Sequence, residues 1–190
     1  MIITISGPAG SGKGSIKKLL AQKLGYKTYD GAGDYRRIRA KALGMTIEEF
    51  NALGEQQDFT DREADEWQKN LGLTEDDFVI DGRLGFYFIP HSIKIFCDVD
   101  DDVAAERIYH DQRLDRIAQQ KTHSVEEQKT LTVTRDESDL KRYKKVYGID
   151  NYMDPKNFDL IIDTSHIMVE QAVDKILEYI KMRHPELNHK

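Results

Sequence analysis

Ile2-Ile-Thr-Ile-Ser-Gly7-Pro-Ala-Gly-Ser-Gly12-Lys13-Gly14-Ser15 stands at the start of the chain and decides its fold. The β-branched run Ile2 to Ile5 reads as a short buried strand that stops at Gly7. Beyond the glycines, Ile16, Leu19, Leu20 and Leu24 recur at helical spacing until Gly25 ends the helix. Between strand and helix, Gly7, Pro8, Ala9, Gly10, Ser11, Gly12, Lys13, Gly14 and Ser15 carry the Gly-x4-Gly-Lys spacing of a phosphate-binding loop. The chemistry requires these residue types. Glycines let the backbone curl until successive N–H groups point inward at a helix N-terminus, forming a nest for an anion. Lys13 adds a mobile point charge for β- and γ-phosphates. The alternative is a glycine turn with an incidental lysine, and the flanking strand and helix count against it.

Lys27–Tyr29 reads as a second short strand, followed by polar, helix-periodic sequence over residues 34–71 interrupted at Gly44 and Gly54. Phe78–Ile80 and Ile93–Phe96 read as further strands. The charged stretch from Asp101 to Gly148 is expected to form two helices broken near Thr122-His123-Ser124. Leu160–Ile162 is a last strand and Val169 to Ile180 a last amphipathic helix. Short apolar strands alternating with helices indicate an α/β protein with a parallel sheet and helices on both faces. A length of 190 residues favours one domain.

Charged residues make up 33% and hydrophobic residues 39% of a chain with formal net charge −6. That acidity argues against a nucleic-acid binder, which needs surplus Lys and Arg to neutralise phosphates. The one cysteine, Cys97, excludes an internal disulfide and a Cys-rich zinc site, and its apolar neighbours predict an inert buried thiol. No run approaches the roughly 20 apolar residues of a membrane span. With no leader sequence before the glycine loop, a cytoplasmic location is expected.

Three further groups of residues are candidates for chemistry. Gly33-Asp34 with Arg37 follows the second strand; Asp34 is an N-cap or part of a binding element, and Arg37 a surface residue or a phosphate ligand. Asp81-Gly82-Arg83 ends the Phe78–Ile80 strand, at the edge where parallel sheets collect ligands. Asp81 there can hold magnesium-bound water and Arg83 can fork onto a phosphate, or the three form a turn. Arg135, Asp139 and Arg142 share a helix face, with the arginines about 10 Å apart along the axis. They either straddle a transferring phosphoryl group or staple an exposed helix, with Asp139 orienting its neighbours. Arg107 is a candidate on the ATP side. Asp61 and Asp65 read as a solvated helix face that could instead bond an exocyclic amine. His110, Asp111, His123 and Glu126 show no metal-ligand spacing and read as surface.

The Gly-Lys-Gly-Ser form, with Gly14 where the general motif has a hydroxyl, resembles nucleoside monophosphate kinases, as does Gly33-Asp34-x-x-Arg37. From Ile2 to about Ile180 the chain resembles the short cytidylate kinases of archaeal type. The likeness rests on the glycine loop, Gly33-Asp34 with Arg37, Asp81-Gly82-Arg83, Ala105-Glu106-Arg107-Ile108 and the stretch from Arg135 through Gly148-Ile149-Asp150. It implies a P-loop fold of three layers around a five-stranded parallel sheet, with a core over about residues 1–32, 73–109 and 143–190. It further implies a mobile acceptor-binding segment over 33–72 and a lid over 110–142. Implied substrates are ATP with Mg²⁺ and CMP or dCMP; a monomer is expected, and from its charge and hydropathy no nucleic-acid or membrane partner. In this reading Lys13, Arg83, Arg135 and Arg142 are catalytic. Gly33, Asp34, Arg37, Arg83 and Asp139 bind the acceptor, and Asp81 reaches the metal through water. Three departures bear on acceptor and lid. Gly31 and Ala32 stand where many relatives carry a hydroxyl, Asp111 stands where a second arginine is expected after Arg107 (Arg113 lies two residues on), and the segment from Gln119 to Thr132 is long. A related kinase with another acceptor such as AMP, or a nucleotide-binding switch, are the rival readings. A GTPase switch should carry an Asn-Lys-x-Asp guanine reader, and no asparagine here is followed by lysine.

Overall fold

The strand that opens the chain, β1 (Ile2–Ser6), is the centre of a five-stranded parallel sheet. The structure is a computed structural model, which describes residues 1–56, 59–111 and 122–185. On one side of β1 lies β3 (Phe78–Asp81) and beyond it β2 (Lys27–Tyr29); on the other lie β4 (Ile93–Asp98) and then β5 (Leu160–Asp163). A central parallel strand is covered on both faces, and all five residues of β1 are buried. Ile3, Ile5 and Val79 face one apolar cluster with Ile16, Leu20, Val173 and Ile176. Ile2, Phe78 and Ile80 face the other with Phe86, Ile89, Tyr143 and Tyr152. The alternation along each strand thus feeds two cores, one above and one below the sheet.

Among the described residues the α-helices are α1 (Lys13–Leu24), α2 (Ala32–Ala42), α3 (Ile47–Gln56), α4 (Phe59–Thr74), α5 (Gly85–Phe88), α6 (Asp101–Tyr109), α7 (Val125–Tyr147) and α8 (Val169–Arg183). α1 and α8 pack together over the first cluster. The expected break before α7 is present: the Ser124 hydroxyl accepts from the Glu127 N–H at 3.1 Å, and the Glu127 carboxylate accepts from the His123 N–H at 2.7 Å. α7 then runs through residue 142 without a break. Among the described residues no helix is long and apolar enough to cross a membrane.

The sequence places the start of the second helix near Asp34, and here the structure differs. α2 begins at Ala32 with Gly31 as N-cap, so Asp34 falls at the third helical position and is not the cap. The cause is backbone packing. A Cβ on Gly31 would lie 1.8 Å from the Asp81 carbonyl oxygen, so the chain must turn into the helix at a glycine laid against β3.

Register brings the carboxyl ends of the strands together. Ile5 pairs with Asp81 and Ser6 with Phe96, so the residues after β1, β3 and β4 emerge along one edge. Gly7, with φ of 149°, turns off that edge where a Cβ would lie 2.3 Å from the Cys97 carbonyl oxygen.

Cys97 is fully buried, and burial pushes its thiol up to about 12. It is therefore expected to resist a water-soluble aromatic disulfide at pH 8 in the native protein and to react at once in denaturant. Rapid labelling of the folded protein would contradict this packing.

Candidate active site

A cleft of about 970 Å³ opens on the carboxyl edge of the sheet. It is lined by the glycine loop from Ala9 to Lys18, by Arg37, by Asp81-Gly82-Arg83, by Arg107 and Asp111, by Arg135, and by Thr164 with residues 167–170.

The loop owes its shape to its own bonds and to those of its neighbours. α1 opens at Lys13 with no side chain capping it, which leaves its first-turn N–H groups to the cleft. Ser11, buried, donates its hydroxyl to Pro8 O at 2.9 Å, and Lys13 Nζ donates to the same carbonyl at 2.9 Å. The Thr164 hydroxyl is shared between Asp98 O at 2.8 Å and Ser11 O at 3.0 Å, tying the loop to β4 and β5. Arg107 braces the same junction, donating to Thr164 O at 2.8 Å, Ser165 O at 3.2 Å and Gly10 O at 3.4 Å. It stands beside the loop as expected, and its guanidinium holds backbone as well as lining the cleft.

On the opposite flank, carboxylates and cations alternate. Arg83 Nη2 lies 2.6 Å from Asp136 Oδ1, and Arg83 Nη1 lies 2.5 Å from Asp139 Oδ2. Arg142 Nη2 donates to Asp139 Oδ1 at 2.5 Å, and its guanidinium lies 5.2 Å from the centre of the Tyr143 ring. Tyr152, 0% exposed, donates to Asp136 Oδ1 at 3.4 Å. Burial alone would lower the Arg83 pKa, but the charges of Asp139, of the neighbouring tyrosines and of Asp136 outweigh it, and the net direction is upward. This chain of charges fastens α7 to the end of β3.

The expected site residues divide accordingly. The loop, Arg37, Asp81, Arg83, Arg107 and Arg135 share the cleft; Arg36 is not among its lining residues. Arg142 and Asp139 meet Arg83 behind it. The backbone of Gly33 and Asp34 belongs to the first turn of α2, but the Asp34 side chain lies outside the described residues, as do the Asp61 side chain and Arg113. Two surface readings need correction. Asp65 is buried and accepts from the Tyr147 hydroxyl at 2.5 Å, because α7 packs where solvent was expected. Asp111 is half-buried in the cleft wall, whereas His110, His123 and Glu126 are exposed as expected.

The sequence reading missed Asp136, Lys17, Asp30, Thr164 and the loop after β5. Asp136 could have been found, since it lies one residue from Arg135 in the same charged run. The others gave no local signal. Lys17 donates to Asp81 Oδ1 and Asp30 Oδ1, both at 2.8 Å. That leaves Asp81 Oδ2 facing Gly14, where a Cβ would stand 3.7 Å from it.

A parallel sheet ordered β2-β3-β1-β4-β5, a glycine loop entering a helix from its central strand, and arginines across the cleft define a kinase of the P-loop class. The fold agrees with that of shikimate kinase from Bacteroides thetaiotaomicron, with a TM-score of 0.65 at 18% identity over 95% of this chain and 98% of that one. Residues 2–166 match the model of the cytidylate kinase-like family, and the chain belongs to it, among the nucleoside monophosphate kinases. It is 33% identical over 193 residues to the cytidylate kinase of Archaeoglobus fulgidus, covering 100% of both chains. It is 34% identical over 191 residues to that of Sulfolobus acidocaldarius, again covering 100% of both.

Asp139 lies between two arginines with its side chain 8% exposed, so its removal leaves buried positive charges facing each other. Asp139→Ala is expected to cost about 3–5 kcal/mol in urea unfolding, the range for breaking a buried pair from one side. Glu66→Ala, which breaks an exposed pair with Lys69, should barely move the midpoint. Equal midpoints for the two variants would refute the bridging role of Asp139.

Proposed function

We propose that the protein transfers the γ-phosphoryl group of ATP, with Mg²⁺, to CMP or dCMP. One observation carries the reading: a single cleft is lined both by the phosphate loop and by Arg37, Arg83 and Arg135. Such a cavity suits two phosphorylated molecules brought end to end, and the relatives named cytidylate kinase support the pyrimidine acceptor.

The loop N–H groups and Lys13 hold the triphosphate, with the Lys13 ammonium exchanging Pro8 O for phosphate oxygen. Arg37 and Arg83 hold the acceptor's phosphate. Arg83 lines the cleft while its guanidinium is held by Asp136 and Asp139, so it meets that phosphate from a fixed position. One oxygen of the acceptor phosphate forms a bond to the γ-phosphorus as the bond from that phosphorus to the β,γ-bridging oxygen breaks, giving the diphosphate and ADP. The attacking oxygen is already ionised at neutral pH, since a phosphate monoester loses its second proton near about pH 6. No general base is therefore required. The site must instead stabilise moving negative charge, and Lys13 and Arg135 do so from the two sides of the transfer.

The donor set fits magnesium. No group of three or more His, Cys, Asp or Glu side chains able to hold a metal occurs among the described residues. Mg²⁺ at nucleotide sites takes one or two protein groups, with phosphate oxygens and water completing an octahedron. Asp81 Oδ2, through water, and the exposed Ser15 hydroxyl would hold it, and the ion would supply positive charge against the negative charge of the triphosphate. Residues 33–72 act as the acceptor-binding segment and residues 110–142 as a lid over the core. α7 joins that core through the Arg83–Asp136–Asp139 charges and through Leu140, Tyr143 and Tyr147 packed on the second apolar cluster.

ADP release from ATP, measured with CMP, dCMP, UMP, AMP, GMP and no acceptor, tests the reading directly. CMP and dCMP should lead the panel; preference for AMP, or release without acceptor, would overturn the assignment. Lys13→Ala should lower turnover at least about a hundredfold with the fold intact, as should Arg135→Ala with ATP affinity little changed. Arg37→Ala should raise the acceptor's KM about 10- to 100-fold and that of ATP far less. If only the ATP constant moves, the two binding sides are reversed.

A further inference from the structure

Lys17 lies one turn after Lys13 in α1 and is 2% exposed, the one buried lysine among the described residues. Lysine is almost never buried unless its charge is met. Here it is met completely. Nζ donates to Tyr29 O at 3.0 Å, to Asp30 Oδ1 at 2.8 Å and to Asp81 Oδ1 at 2.8 Å, which uses all three of its N–H bonds. These acceptors come from the end of β2, from the junction between β2 and α2, and from the end of β3. One ammonium therefore joins the phosphate-loop helix, the point where the acceptor segment leaves the core, and the carboxylate at the sheet edge. Burial pushes the Lys17 pKa down, but the charge of Asp81 and the hydrogen bonds to Asp30 and Asp81 more than reverse this, and the group stays protonated at neutral pH.

Cohesion alone does not require a charge. Replacing buried ion pairs with packed apolar side chains is often neutral or stabilising, so an ion cluster is a poor way merely to hold three elements together. What it does supply is direction. With Oδ1 of Asp81 engaged by Lys17, Oδ2 is presented toward Gly14 in the phosphate loop. With Tyr29 O and Asp30 engaged, the junction is fixed from one side while Gly31 abuts the Asp81 carbonyl from the other.

We propose that Lys17 is a positioning residue that aims Asp81 at the phosphate loop and, through Asp30, fixes the hinge from which the acceptor-binding segment departs. The second half rests on the reading that residues 33–72 bind the acceptor; the first does not.

Two variants separate the halves. Asp30 is 63% exposed at its side chain, so Asp30→Asn should fold normally. Its loss should raise the KM for CMP about two- to fivefold, the worth of a half-exposed ion pair, with the ATP constant unchanged. Lys17→Met keeps the stem and removes the charge. It should lower kcat about 10- to 100-fold through misplacement of Asp81. By calorimetry it should also shrink the gain in ADP affinity that Mg²⁺ gives the wild type, a readout independent of turnover. A lysine that only stabilises the fold would shift the urea midpoint and leave both the CMP constant and the Mg²⁺-dependent gain at wild-type values; that result overturns the proposal. Should Lys17→Met not fold, an unchanged CMP constant in Asp30→Asn overturns it alone. If the wild type phosphorylates none of the monophosphates, the acceptor reading fails, and the Mg²⁺–ADP calorimetry of Lys17→Met still decides the role of Lys17 toward Asp81.

Discussion

Backbone meets backbone at the carboxyl edge of the sheet, and the site depends on that close approach. A side chain on Gly7 would strike the Cys97 carbonyl, and one on Gly31 the Asp81 carbonyl. The first contact lays the phosphate loop flat against β4, so that α1 can start with its N–H groups facing the cleft. The second lays the start of α2 against β3. Apolar clusters packed on both faces of β1 make the edge rigid enough for these contacts to hold.

Around this edge the protein places charges inside its walls in alternating order. Lys17 sits between Asp30 and Asp81, and Arg83 between Asp136 and Asp139, with Arg142 beyond. Each cluster spans elements distant in sequence. Neither is the cheapest way to stabilise a core, because taking charges out of water costs several kcal/mol per ion before pairing returns it. Both suit a site that must present fixed charge to phosphates, and the second adds to the apolar packing of Leu140, Tyr143 and Tyr147 that seats α7. Bonds to neutral carbonyls, from Thr164 to Ser11 and from Arg107 to three backbone oxygens, hold the phosphate loop by a different means.

How legible each part was follows from the range of the interactions involved. The strands and the loop are local patterns: apolar runs, glycine spacing, a lysine at a helix start. Arg37 was preferred to Arg36 by spacing, and Arg37 is the one that lines the cleft. Asp65 was misread because its partner, Tyr147, comes from a helix 82 positions away. Nothing local sets Lys17 apart from its neighbour Lys18, and only contact with Asp81, 64 positions on, distinguishes it. The helix start near Asp34 was misplaced because a capping residue was read where a steric contact decides.

The sequence by itself determined the parallel α/β fold and the phosphate loop, because strand periodicity, glycine geometry and a helix N-terminus are properties of neighbouring residues. The tertiary structure decided which charges are buried and in whose company. Desolvation and pairing depend on what other elements bring within about 4 Å. Lys17 on Asp81, and Arg83 between the carboxylates of α7, exist only once the sheet has brought those elements to one edge.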